Sequence, residues 1–124
     1  MKPTILLVDD EPMMQLLLKQ LFKAEFDVHV FNNGKEALNW MYSGSIPDLA
    51  IFDLQMPEMD GYELLQHCKS SGYFQEVPVI ILSAEETSSD RIKCLELGAI
   101  DYLIKPFNPK ELKLRVNRIL SIAK

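Results

Sequence analysis

Residues 4–24 read TILLVDDEPMMQLLLKQLFKA. The first five, Thr4 to Val8, form a short apolar run of β character that stops at two acids, Asp9 and Asp10. From Glu11 the period changes. Met14, Leu17, Leu18, Leu21 and Phe22 fall at the i, i+3, i+4, i+7, i+8 spacing of a helix buried on one face, which predicts a helix over Glu11 to Ala24. Pro12 suits its first turn, where the missing N–H has no partner to lose.

The same unit recurs along the chain. Val28 to Phe31 reads as a strand, followed by a helix from about Gly34 to Tyr42 with Gly44 as a stop. Asp48 to Phe52 is a third strand, and a helix follows from about Gly61, with Asp60 as its N-cap. Val77 to Leu82 is a fourth strand, whose helix begins near Ser88 or Ser89 and stops at Gly98. Ile100 to Ile104 is the fifth strand. The last helix has Asn108 as N-cap, Pro109 at N1, Glu111 at N3 and a buried stripe of Leu112, Val116, Ile119, Leu120 and Ala123. Five consecutive strand–helix units predict an α/β fold, a parallel sheet covered by helices on both faces. Right-handed crossovers leave few arrangements, of which the doubly wound, flavodoxin-like order 2-1-3-4-5 is the common one for five units.

Composition narrows the function. The 124 residues amount to one domain, with 48% hydrophobic and 25% charged residues, as in an ordinary globular protein. The net charge of −5 argues against direct binding to nucleic acid or to an anionic membrane, both of which draw on basic surfaces. No apolar run exceeds the six residues Val77 to Leu82, against roughly 20 for a membrane-spanning helix. The start is too short for a signal-peptide core. Cys68, Cys94, His29 and His67 lack zinc-site spacing, and the two cysteines read as thiols of a reducing cytoplasm.

The residues that close the strands carry the chemistry. Asp9 and Asp10 follow the first strand, Asp53 the third, Ser83 the fourth and Lys105 the fifth. In a parallel sheet all of these lie on the carboxyl edge, and in the 2-1-3-4-5 order the first and third strands flank the switch point where ligands bind. Two unit charges about 4 Å apart interact by about 4 kcal/mol at an effective dielectric of about 20, so one lysine cannot offset three crowded carboxylates. Either one carboxylate keeps its proton or a cation enters. An all-oxygen donor set selects a hard ion such as Mg²⁺, and a neighbouring lysine and hydroxyl complete a cradle for a phosphoryl group. Singly, each residue has a plainer reading: Asp9 or Asp10 as a helix cap, Ser83 as a turn hydroxyl, Tyr102 as core in the alternation Ile100, Tyr102, Ile104. Capping, however, requires no matching acid on two neighbouring strands.

The pair DD at 9–10, PDLAIFDLQMPEMDG at 47–61, SAE at 83–85 and YLIKPF at 102–107 resemble, in order and over essentially the whole chain, the receiver domain of two-component response regulators. The resemblance implies a phosphorelay protein and not a conventional enzyme: it would catalyse only its own phosphorylation and dephosphorylation. Asp53 would be the phosphoacceptor, taking its group from the phosphohistidine of a sensor histidine kinase or phosphotransfer protein. Asp10, Asp53 and the main-chain carbonyl of Gln55 would hold Mg²⁺, or Mn²⁺, with Asp9 acting through water. Ser83 and Lys105 would bind phosphoryl oxygens, and Pro106 would follow a cis Lys–Pro peptide. Ser83 and Tyr102 would switch a surface made by the fourth helix, fifth strand and fifth helix. Gln55 and Glu85 would tune phosphoryl lifetime, and Gly61 would permit a close turn into the third helix.

A phosphorylation-independent pseudo-receiver module is the alternative. A dehalogenase-type phosphatase fails because the first strand is followed by DDE and not D-x-D, and EPMMQ is no flavin phosphate loop. No effector domain is expected within residues 1–124, which leaves either a stand-alone receiver acting on a downstream protein or a piece of a longer regulator with a fused effector. A monomer or a phosphorylation-dependent dimer suits both.

Overall fold

The computed structural model describes residues 2–84 and 88–123, apart from the side chains of Ile122 and Ala123. Five strands alternate with five helices: β1 Thr4–Val8, α1 Pro12–Phe22, β2 Asp27–Phe31, α2 Gly34–Tyr42, β3 Leu49–Asp53, α3 Gly61–Ser70, β4 Val79–Ser83, α4 Ser88–Leu97, β5 Asp101–Ile104 and α5 Pro109–Ala123. All four strand pairings are parallel and the order is β2-β1-β3-β4-β5, the doubly wound arrangement expected.

Each central strand buries both faces, which explains why the strands read as unbroken apolar runs and not as alternations. In β1, Leu6 and Val8 pack into one layer with Ala37, Met41, Leu64 and Leu65 from α2 and α3. Ile5 and Leu7 point into the other, with Leu18 and Phe22 of α1 and Leu112 and Val116 of α5. Local signals set the helix starts. Asp60 and Glu63 form a reciprocal capping box at α3. Asn33 caps α2, and Asn108 accepts from Lys110 N–H at 2.9 Å at the head of α5.

Several expectations shift. The buried stripe of α1 is narrower than the periodicity suggests: Leu18 and Phe22 are buried, Met14 and Leu21 are half-buried, and Leu17 is 40% exposed. Val77 is buried but precedes β4, which begins only after Pro78. Proline has no N–H to give to a ladder. Ile100 lies in the turn before β5, its N–H on the Val79 carbonyl, and is exposed, so it does not share a buried face with Tyr102. Of the α5 stripe, Leu112, Val116 and Leu120 are buried and Ile119 is half-buried, while the Ala123 side chain lies outside the described ones.

Gly61 is fixed by close approach. A β-carbon there would stand 2.4 Å from the Asp53 carbonyl oxygen and 2.9 Å from Leu54 Cα, both backbone atoms that no rotamer change can move away. Gly72 faces open space and serves as a control. Gly61→Ala is expected to lower unfolding free energy by about 1–3 kcal/mol or more, as overpacking does. Gly72→Ala should stay within about 1 kcal/mol of the parent. Urea denaturation of the two variants checks the difference.

Candidate functional site

The parallel register brings the strand ends level. Asp53 pairs with Leu82, Val8 with Phe52, and Ser83 with Ile104. Hence Asp9 and Asp10 beyond β1, Asp53 at the end of β3, Ser83 at the end of β4 and Lys105 beyond β5 gather at one edge. Ligand oxygens of Asp9, Asp10 and Asp53 all lie within 4.8 Å of one another. Asp9, Asp53 and Ser83 are buried, whereas Asp10 is exposed.

Lys105 reaches over this edge. Its Nζ lies 3.2 Å from Asp9 Oδ2 and 3.3 Å from Asp53 Oδ1. The Lys105–Pro106 peptide is cis, as expected, and Lys105 N–H donates to the Ser83 carbonyl at 2.8 Å. Burial pulls the lysine pKa down, but the two carboxylates together outweigh it and hold the ammonium charged. Burial also raises the Asp9 carboxyl, against the Glu11 N–H and Lys105 that favour its charged form. Asp53 is pushed from 3.8 to about 6, first by burial and then by the neighbouring Asp9 charge, with Lys105 offsetting only part. One ammonium therefore leaves three acids under-neutralised. The donor set is oxygen only, of the kind a hard divalent cation takes, so the residues fit Mg²⁺ or Mn²⁺.

The loop leaving β3 shapes the rest. Gly61 N–H returns to the Leu54 carbonyl at 3.0 Å and Met59 N–H to Pro57 at 2.8 Å. Glu58 takes the left-handed backbone (φ 67°), uncommon for a side chain of its kind. Beside it opens a cleft of about 700 Å³, lined among others by Asp10, Gln55, Met56, Tyr62, Asp90 and Lys93. Lys93 Nζ stands 4.2 Å from the centre of the Tyr62 ring.

Two contacts escaped the sequence reading. Gln15 on α1 donates through Nε2 to the Asp9 carbonyl at 2.5 Å and to Asn32 Oδ1 at 2.8 Å, pinning the β1 exit. An isolated glutamine between Met14 and Leu16 gives no local sign of this. The Gln55 carboxamide faces the Ser83 hydroxyl, with Nε2 at 3.1 Å and Oε1 at 3.3 Å. Tyr102 is buried in the layer that also holds Cys94 and Ala99. Glu85 lies outside the described residues.

The profile of the response regulator receiver domain matches residues 5–117. The solved receiver domain of a signal transduction histidine kinase from Syntrophus aciditrophicus has a TM-score of 0.90 and 36% identity, covering 98% of this chain and 92% of that one. The receiver domain of a Pseudomonas aeruginosa sensor histidine kinase, solved with magnesium coordinated in its active-site cleft, has a TM-score of 0.87 and 29% identity, covering 98% and 99%. The protein named "Probable transcriptional regulator ycf27" of Guillardia theta is 40% identical over 120 residues, 96% of this chain and 46% of that protein. The chain thus spans about half the length of such curated relatives.

Asp53 should be a source of instability wherever it is ionised. Its folded-state pKa of about 6 exceeds the ordinary 3.8, so the folded form binds the proton more tightly. The penalty is therefore complete above pH 6, shrinks as pH falls through 6, and vanishes below 3.8. In chelator at pH 7.5, Asp53→Asn should be the more stable protein by about 2–3 kcal/mol. That gap should close between pH 6 and 4, as read from paired urea titrations across that range.

Proposed function

The chain belongs to the response regulator receiver domain family, and on that premise we propose that it is a phosphorylatable switch whose acceptor is Asp53. The observation that carries this reading is the meeting of Asp9, Asp10 and Asp53 under Lys105 at the carboxyl edge of the sheet. Asp10, Asp53 and the Gln55 main-chain carbonyl would hold Mg²⁺, or Mn²⁺ in its place, and Asp9 would act through water. Bound there, the ion would neutralise the attacking and transferred oxygens.

The chain's own residues do the rest. Asp53, with its pKa near 6, is a carboxylate at neutral pH and more basic than an exposed aspartate, which favours it as a nucleophile. One of its oxygens forms the new bond to phosphorus while the bond from phosphorus to the donor histidine nitrogen breaks, the electron pair leaving with nitrogen. Lys105 can exchange its carboxylate contact for a phosphoryl oxygen, which keeps its charge where negative charge grows. The donor is a sensor histidine kinase or a phosphotransfer protein.

Ser83 couples this chemistry to the surface. A hydrogen bond from its hydroxyl to the phosphoryl group is worth about 1.5–3 kcal/mol, or roughly a 10- to 150-fold shift in a two-state equilibrium. Tyr102 lies opposite Ile81, two residues before Ser83 on β4, and is already buried. Its role as the moving aromatic is supported by this closeness to Ser83. The output face is α4, β5 and α5, where Ile92, Leu95 and Leu114 are exposed. Its partner is a downstream protein or a fused effector, reached as a monomer or as a phosphorylation-dependent dimer. Among the described residues no helix is long and apolar enough to cross a membrane, in keeping with a place in the cytoplasm.

Acetyl phosphate with Mg²⁺ should give one phosphoryl adduct by intact mass. The adduct should be absent in Asp53→Asn and in chelator, and its rate of formation should fall roughly 10-fold or more in Lys105→Ala, which removes a charge-assisted contact. No adduct with acetyl phosphate or with a phosphorylated kinase would leave the pseudo-receiver module as the correct reading.

A further inference from the structure

We propose that Gln15 is a positioning residue of the cation site, which fixes the peptide between Asp9 and Asp10 and so aims the Asp10 carboxylate. The proposal rests on the reading of Asp9, Asp10 and Asp53 as the seat of a divalent ion. It extends that reading to a side chain that donates to main chain and to Asn32, not to an acid.

Asp10 is the exposed acid of the three, so its side chain is not held by burial. Its direction is set by the main chain on either side. Before it, Asp9 N–H donates to the Phe31 carbonyl at 3.1 Å, and the Asp9 carbonyl accepts from Gln15 Nε2 at 2.5 Å. After it, Glu11 N–H donates to Asp9 Oδ1 at 2.9 Å. A peptide group is planar, so a bond to the Asp9 carbonyl fixes the plane from which Asp10 departs. The peptide before Asp10 is thus held by Gln15, and the peptide after it by Asp9.

Gln15 suits this task by its place and its chemistry. It stands one turn into α1, and both protons of its amide nitrogen are used, the second given to Asn32 Oδ1 at 2.8 Å just beyond β2. A main-chain carbonyl only accepts, so the nitrogen and not Oε1 faces Asp9. An apolar residue here would remove the restraint on the Asp9–Asp10 peptide and leave the three carboxylates in place. A plainer role, a tie between α1 and β2 that adds stability alone, predicts no change in affinity for the ion.

Mn²⁺ binding to the full chain, read by electron paramagnetic resonance, tests this beside urea denaturation in chelator. Gln15→Met keeps the length and the apolar stem without the donors. Weighed as one net hydrogen bond, the loss predicts roughly 3- to 10-fold weaker Mn²⁺ binding. Gln15→Ala, which favours the helix, should show the same loss. Gln20→Met, an exposed position on the same helix, should bind as the parent does. With acetyl phosphate, Gln15→Met should need a correspondingly higher Mg²⁺ concentration for its half-maximal rate, while the rate at saturating Mg²⁺ stays within about twofold of the parent. A lower urea midpoint with unchanged Mn²⁺ affinity in both Gln15 variants would overturn the proposal and leave Gln15 a stabilising residue only. A parent that binds no Mn²⁺ would overturn the cation-site reading and this inference together. A parent that binds Mn²⁺ but takes no phosphoryl group would overturn the phosphoacceptor reading alone, and the Mn²⁺ affinities would still decide the inference.

Discussion

Lys105 contacts two carboxylates at once, Asp9 and Asp53, which arrive from the first and third strands. That arrangement joins the end of the edge strand β5 to the centre of the sheet through side chains, across β4. It is also incomplete. Three acids and one ammonium leave the cluster short of positive charge, and burial of Asp9 and Asp53 limits what water can do for those two. Asp53 carries the imbalance in its raised pKa. A site in this condition favours whatever brings positive charge, whether a proton at low pH or a divalent ion near neutrality.

The fold is the means of assembling such an unfavourable cluster. Each central strand is apolar on both faces and is held by two packed layers, so its register is not open to adjustment. The polar residues at the strand ends are therefore placed by burial elsewhere. Gly61 shows how tight this is. The head of α3 is packed against the main chain of Asp53 and Leu54, and the capping box of Asp60 and Glu63 fixes its direction. Gln15 secures the opposite wall by binding the Asp9 carbonyl. The acids are brought together by the apolar core and held there against their own repulsion.

Much of this could be read from the chain because the informative residues stand next to strong local signals. Asp9, Asp10, Asp53, Ser83 and Lys105 each close an apolar run, and the strand order follows from the alternation of units and the handedness of crossovers. Asp60, Asn108 and Gly61 sit at helix starts where capping and close approach leave a recognisable trace. What stayed hidden depends on tertiary distance. The Gln55 contact with Ser83 spans 28 residues, and no period or cap refers to it. The exposure of Leu17 was hidden for a related reason. The periodicity of α1 gives the set of apolar residues but not how far the sheet and α5 extend around the helix. Ile100 fits an alternating strand pattern until the turn after Gly98 is seen to place it outside β5.

The three acids are not equivalent, and the difference gives the site a direction. Asp9 is buried and engaged, accepting the Glu11 N–H at 2.9 Å and the Lys105 ammonium at 3.2 Å. Asp53 is buried and shares that ammonium. Asp10 is exposed and lines the cleft together with Gln55, Tyr62 and Lys93. Asp10 is thus the acid of the three that faces solvent, while Asp9 and Asp53 are buried and share the half-buried Lys105 ammonium. On the reading proposed above, a cation and a phosphoryl group would both approach from the side of this cleft, between the β3–α3 loop and α4. Ser83 and Gln55 meet at the β4 exit, beside this cleft.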